Sequence, residues 1–158
     1  MRATEMLEKD HQQVRDLFLR LEQAPSPNER QSLLDTIGDE LEIHAQLEEE
    51  IFYPALRGVS RRVDDAEAGH DHVRALLSEM QRRDPASREF AIQARVLKEA
   101  VLNHVAEEEG VMFMEAGRLG LDALGRLGSD IEERKQALAA AGLHRGGRAG
   151  TPAARKIA

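Results

Sequence analysis

The chain has 158 residues, 41% of them hydrophobic, enough for one domain with a sizeable core. It has no cysteine, which excludes disulfides, thiolate metal sites and cysteine nucleophiles. A formal net charge of -7 argues against general affinity of the folded body for nucleic acid or an anionic membrane.

Aromatic residues are only 3% and charged residues 32%, with Ala, Leu, Glu and Arg abundant and β-branched residues sparse, so the expected class is all-α. The N-terminal "MRATEMLEKDH" is too charged for a secretory segment, and no apolar run approaches the about 20 residues of a membrane span. A soluble cytoplasmic protein is expected.

Breaks at Pro25 to Asn28, Gly58 to Ser60 and Asp84 to Ser87 divide the chain into helices predicted at roughly 4–23, 28–56, 62–83 and 87–116. In the first, Leu7, His11, Val14, Phe18 and Leu21 share a face. In the second the stripe is Leu34, Ile37, Leu41, His44, Glu48, Ile51 and Ala55. The third gives Val63, Ala66, His70, Val73, Leu77 and Met80, and the fourth Phe90, Ala94, Leu97, Val101, His104, Glu108 and Val111. Gly38 and Gly110 fall inside these helices and mark expected kinks. The segment "LDALGRLGSDIEERKQALAA" adds a shorter fifth helix, closing a domain over residues 1–141. From 142 to 158, "GLHRGGRAGTPAARKIA" carries Arg145, Arg148, Arg155 and Lys156, no acid and almost nothing to bury, and is expected to be a disordered basic tail.

Stripes stepping by three and four face the interior of an up-down-up-down four-helix bundle. Every helix therefore points one histidine inward, and two add a glutamate. The pattern is also duplicated: "DHQQVRDLF" around His11 resembles "GHDHVRALL" around His70, and "HAQLEEEIF" from His44 resembles "HVAEEEGVM" from His104. The separations agree, 33 residues from His11 to His44 and 34 from His70 to His104.

One buried histidine is usually satisfied by a single hydrogen bond. Four of them beside two buried carboxylates are not, because an ionised carboxylate in an apolar interior neutralises or finds a cation. The i,i+4 spacing of His44 with Glu48, and of His104 with Glu108, lets each pair reach one site. Nitrogen and oxygen donors without sulfur suit iron, manganese or zinc, and six ligands exceed the needs of one tetrahedral zinc. Two metals are expected.

The arrangement His11, His44-x-x-x-Glu48, His70, His104-x-x-x-Glu108 resembles the hemerythrin-like HHE cation-binding family over roughly residues 4 to 116, and "ELEIHAQLEEEIFYPAL" is similar to its bacterial members. The resemblance implies a non-haem centre of two Fe ions with an oxo or hydroxo bridge, Glu48 and Glu108 spanning both irons and the four imidazoles completing the coordination. The chain departs from the oxygen-carrying members of that family. Arg74 stands one turn after His70, where they have a further histidine, and His104-x-x-x-Glu108 replaces their His-x-x-x-x-Asp.

Coordination then stays incomplete on both irons, which favours substrate binding over oxygen carriage. Tyr53, five residues after Glu48, is the expected outer-shell donor or further ligand. His72 lies about 200° around the helix from His70 and belongs to a solvated face. Some of Glu49, Glu50, Glu107 and Glu109 could orient imidazole N–H groups, but helical phasing puts most of them outside, on a solvated face. Glu67 with His70 makes a single Glu-x-x-His, whereas a ferritin-type site needs two. The expected activity is turnover of peroxide, dioxygen or nitric oxide, most of all a catalase-like disproportionation of peroxide. The alternatives are an iron or oxygen sensor, and a metal store or carrier.

Overall fold

A computed structural model describes residues 1–142. All but Gly142 of the expected basic tail lies outside the described residues. Helix α1 spans Ala3–Gln23 and α2 Pro27–Leu47; α2 runs on through a π turn, Glu48–Phe52, into α3, Tyr53–Leu56. Helix α4 spans Val63–Met80 and α5 Arg88–Glu107, which continues through a second π turn, Glu108–Met112, into α6, Phe113–Ala116. A short 3-10 turn leads to α7, Leu121–Ala140. No strand occurs among the described residues. The architecture is the up-down-up-down four-helix bundle, but the fifth long helix has 20 residues and matches the bundle helices in length.

Helix starts follow local chemistry. Ser26 caps α2 by accepting from Glu29 N at 3.2 Å, with Pro27 in the first turn, where its missing N–H costs nothing. Ser87 caps α5 by accepting from Phe90 N at 3.1 Å. Gly120 precedes α7 at φ 92°, a backbone region that favours glycine.

The expected stripes hold in α1 and α4, where Leu7, His11, Val14, Phe18, Leu21, Val63, Ala66, His70, Leu77 and Met80 are buried. Beyond Glu48 and Glu108 they do not. A π turn adds a residue to the turn and slips the buried face by one position. Phe52, Tyr53 and Leu56 are buried in place of Ile51 and Ala55, and Met112, Phe113 and Ala116 in place of Val111. Pro54 lacks the N–H that a continuous α-helix would use, which accounts for the first slip. The second has Met114 at the equivalent place and instead carries Gly110 within the turn, where a weak helix former resists distortion least.

Among the described residues most of the buried apolar side chains fall into two clusters. One joins Val14, Phe18, Leu34, Ile37, Leu77, Phe90, Leu97 and Val101. The other joins Leu7, Leu47, Phe52, Leu56, Met112 and Phe113 to Leu124, Ile131 and Leu138 of α7. Along each bundle helix the inward histidine falls between a residue of one cluster and a residue of the other, so the polar layer divides the core.

Candidate metal centre

Two groups of ligand-capable atoms meet in that layer: His11, His44, Glu48 and Glu108, and His70, His104, Glu48 and Glu108. Within each group the atoms lie within 4.8 Å of one another. All six histidine and glutamate side chains singled out by spacing are thus brought together, and both glutamates belong to both groups. Glu48 turns Oε2 toward His44 Nε2 at 3.1 Å and Oε1 toward His70 Nε2 at 2.9 Å. Glu108 turns Oε1 toward His11 Nε2 at 3.2 Å and Oε2 toward His104 Nε2 at 3.3 Å.

The four carboxylate oxygens are not equally satisfied. Glu48 Oε2 and Glu108 Oε1, both on the His11–His44 side, are fully buried and accept no hydrogen bond. Between them His11 Nε2 and His44 Nε2 face each other at 3.1 Å. Orphaned anionic oxygens beside converging ring nitrogens are costly unless a cation sits among them. The residues fit a metal pair on that ground and on their chemistry, with nitrogen and oxygen donors and no sulfur.

The outer ring nitrogens explain why the inner ones point inward. His11 Nδ1 donates to Glu109 Oε2 and His70 Nδ1 to Glu49 Oε2, each at 2.7 Å, leaving the Nε2 lone pairs for the centre. Arg15 holds Glu109 at 3.4 Å, and Arg74 holds Glu49 with a fork at 2.9 and 3.1 Å. The two hairpins therefore serve each other reciprocally. Glu49 and Glu109 are the half-buried acids of the four that orient imidazoles, so half of them, and not most, lie on the solvated face. Glu50 and Glu107 do lie outside, paired with Arg134 and Arg62. His72 is exposed, as its phase requires.

The second-helix histidines differ. His44 Nδ1 meets Asp10 Oδ2 at 3.1 Å, and Asp10 Oδ1 accepts from Lys135 Nζ at 2.6 Å. In the duplicated pattern Gly69 stands where Asp10 does, and a Cβ there would lie 2.8 Å from His104 Nδ1. His104 thus packs on bare backbone.

Tyr53 is fully buried, and its hydroxyl contacts Glu108 Oε2, lies 3.1 Å from Glu48 Oε1 and 3.3 Å from both His70 Nε2 and His104 Nε2. The π turn achieves this, since residues five apart share a face there: Tyr53 N donates to Glu48 O, and Phe113 N to Glu108 O. Phe113, the counterpart of Tyr53, stacks on His11 at a centroid distance of 5.9 Å and offers no donor atom.

Electrostatics reflect two carboxylates sealed among imidazoles. Burial pushes His104 down, but hydrogen bonds to Glu108 and Glu48 outweigh it and raise its pKa to about 10. His44 is raised in the same way, with Glu48 and Asp10 overcoming burial. Burial followed by the charges of Glu48 and Glu108 drives the Tyr53 phenol far above its ordinary value of 10.0. Burial raises Asp10, yet His44 and Lys135 together hold it below the usual range.

A cavity of about 40 Å³ opens on the four histidines, walled by Val14, Leu41, Val73, Leu77, Val101 and Val105, with Glu42 and Arg74 beside them. It admits only one or a few water-sized molecules.

The model of the hemerythrin HHE cation-binding domain matches residues 2–116. The chain belongs to this family. The crystal structure of an HHE-domain protein from Mycobacterium kansasii superposes with a TM-score of 0.87 at 26% identity, covering 100% of this chain and 99% of that one. An uncharacterized protein of Mycobacterium tuberculosis is 29% identical over 103 residues, 62% of this chain and 64% of that protein. A DNA nickase from Nostoc sp. is 30% identical over 115 residues, 72% of this chain but only 33% of the nickase. Among the described residues of this HHE protein, no helix is long and apolar enough to cross a membrane.

Sequence reasoning missed Asp10, Lys135 and Gly69. Asp10 precedes His11 and reads as surface charge, and its contacts join segments more than 30 residues apart.

Proposed function

We propose that this HHE protein holds two Fe ions with an oxo or hydroxo bridge and disproportionates hydrogen peroxide, two molecules giving two of water and one of dioxygen. The observation that carries the reading is the pair of four-donor groups sharing Glu48 and Glu108, with two orphaned carboxylate oxygens on the His11–His44 side. His11 and His44 would hold one ion and His70 and His104 the other, Glu48 and Glu108 spanning both. When bound, the irons supply Lewis acidity and a two-electron reservoir, so no external reductant or thiol is needed.

The residues of the chain do the rest. Glu49, Glu109 and Asp10 fix three imidazoles by their outer nitrogens. Tyr53 Oη keeps its proton while the carboxylates are uncompensated, and with a cation held there the hydroxyl oxygen would be a further donor on the His70–His104 side. Phe113 leaves the His11–His44 side without such a donor, so substrate access is favoured there. The aliphatic cavity wall excludes bulk water and anything much larger than peroxide, dioxygen or nitric oxide. The name of the Nostoc nickase is not carried over, because the match takes in a third of that protein and a net charge of -7 disfavours nucleic acid.

The test is oxygen release from peroxide by the iron-loaded protein beside Glu108→Ala. Wild type is expected to evolve oxygen while the variant, lacking one shared carboxylate, does not. Equal traces at equal protein concentration refute turnover and leave sensing or storage as the reading.

A further inference from the structure

Helix α7 lies beyond the family-matched residues 2–116, and at the edge of its buried stripe stands a half-buried lysine, Lys135. Leu124, Ile131 and Leu138 are buried. Lys135 stands four residues after Ile131 and three before Leu138, on the same face, where a stripe that only packed would continue with an aliphatic residue. Its ammonium reaches Asp10 Oδ1 at 2.6 Å, and Asp10, 7% exposed, gives its other oxygen to His44 Nδ1 at 3.1 Å. His44 Nε2 then faces Glu48 Oε2 and His11 Nε2, both at 3.1 Å. The chain of contacts runs without a gap from α7 into one donor group. The other group has no equivalent, since Gly69 replaces Asp10 in the duplicated pattern.

We infer that Asp10 and Lys135 are positioning residues for the His11–His44–Glu48–Glu108 group, so that α7 is a working part of the metal centre. The inference rests on the metal reading above. A carboxylate on the outer nitrogen aims the ring and raises its basicity toward a cation. A carboxylate this buried stays ionised only with a partner, and Lys135 supplies a fixed positive charge on the side away from the centre. Arg134, the preceding residue, pairs with exposed Glu50 at 2.8 Å and makes no hydrogen bond or ion pair with the six inward residues. Loss of Arg134 therefore reports on docking of α7 alone.

The experiment titrates the metal-free full chain with ferrous iron against a chromophoric chelator, counting ions per chain and the affinity of each. Lys135→Met and Asp10→Asn are expected to bind one of two irons about 10- to 100-fold more weakly and the other as in wild type. Lys135→Arg is expected to restore the weakened ion, and Arg134→Met to bind both normally. Two irons held at wild-type affinity in Lys135→Met and Asp10→Asn overturn the inference alone. So does equal weakening in Arg134→Met, which makes α7 a mere cover. A wild-type chain that takes up fewer than two irons overturns the metal reading and this inference with it.

Discussion

Gly69→Ala probes the centre through a single methyl group. The added Cβ would sit 2.8 Å from His104 Nδ1, whereas ordinary contact begins near 3.4 Å, so the ring must retreat by about 0.6 Å. Metal–ligand distances tolerate only about 0.2 Å, so His104 would leave coordination range unless α4 and α5 moved apart. The fold itself gains and loses little. Alanine is better than glycine in a helix by about 1 kcal/mol, while overpacking costs about 1–3 kcal/mol. The net is about 0–2 kcal/mol of destabilisation, which corresponds to a fall in Tm of about 0–8 °C for a chain of this size. The expected outcome is a folded metal-free protein whose His70–His104 ion binds about 10- to 100-fold more weakly. Iron content with chelator competition gives the affinity, and a thermal melt gives the stability. Two irons at wild-type affinity would show that His104 is no ligand or that the helices yield freely, and the geometric argument would fall.

Chelation should lower Tm by about 5–10 °C, since a ligand at one hundred times its Kd contributes about 2.7 kcal/mol and Glu48 Oε2 and Glu108 Oε1 become orphans without it. An unchanged melt after verified metal removal counts against a buried cation site. His70→Ala should lose metal and the exposed His72→Ala should keep it, measured as iron per chain; equal losses would place the helical phase of α4 in error. The metal-free protein should lose stability as pH rises. The folded pKa of His104, about 10, exceeds its ordinary 6.5, so its contribution is complete below 6.5 and disappears as pH climbs through 10. Melts that stay level or strengthen between pH 7 and 10 would contradict this.

The inward residues were legible because burial writes a periodic signature into each helix. His11, His44, Glu48, His70, His104 and Glu108 stand where an aliphatic side chain belongs, and each of the six can be read within one helix. The π turns leave no such mark. A slip of one position turns Ile51, Ala55 and Val111 partly outward and Phe52, Tyr53, Met112 and Phe113 inward, and only Pro54 hinted at the first. The supporting residues were invisible for another reason. Glu49 serves His70 from the first π turn to α4 and Lys135 serves Asp10 from α7 to α1, so their roles belong to pairs of elements and not to any one periodicity.

Those pairs are where the duplicated hairpins cease to be equivalent. His11 with Glu109 and Arg15, and His70 with Glu49 and Arg74, repeat one another faithfully. Three other positions do not: Asp10 answers to Gly69, Tyr53 to Phe113, and Glu42, which binds Arg74 at 3.0 Å, to Leu102. Each replacement moves a charge or a donor to one side only. The His11–His44 group receives the buried carboxylate and the α7 ammonium, while the His70–His104 group receives the phenol and the tighter arginine clamp. Two ions held by the same two residue types would therefore differ in basicity of their imidazoles and in the number of donors around them. A duplicated bundle has in this way been given an unsymmetrical cluster of donors, so that with two ions bound a small molecule in the aliphatic cavity would meet one better-filled site and one more open site.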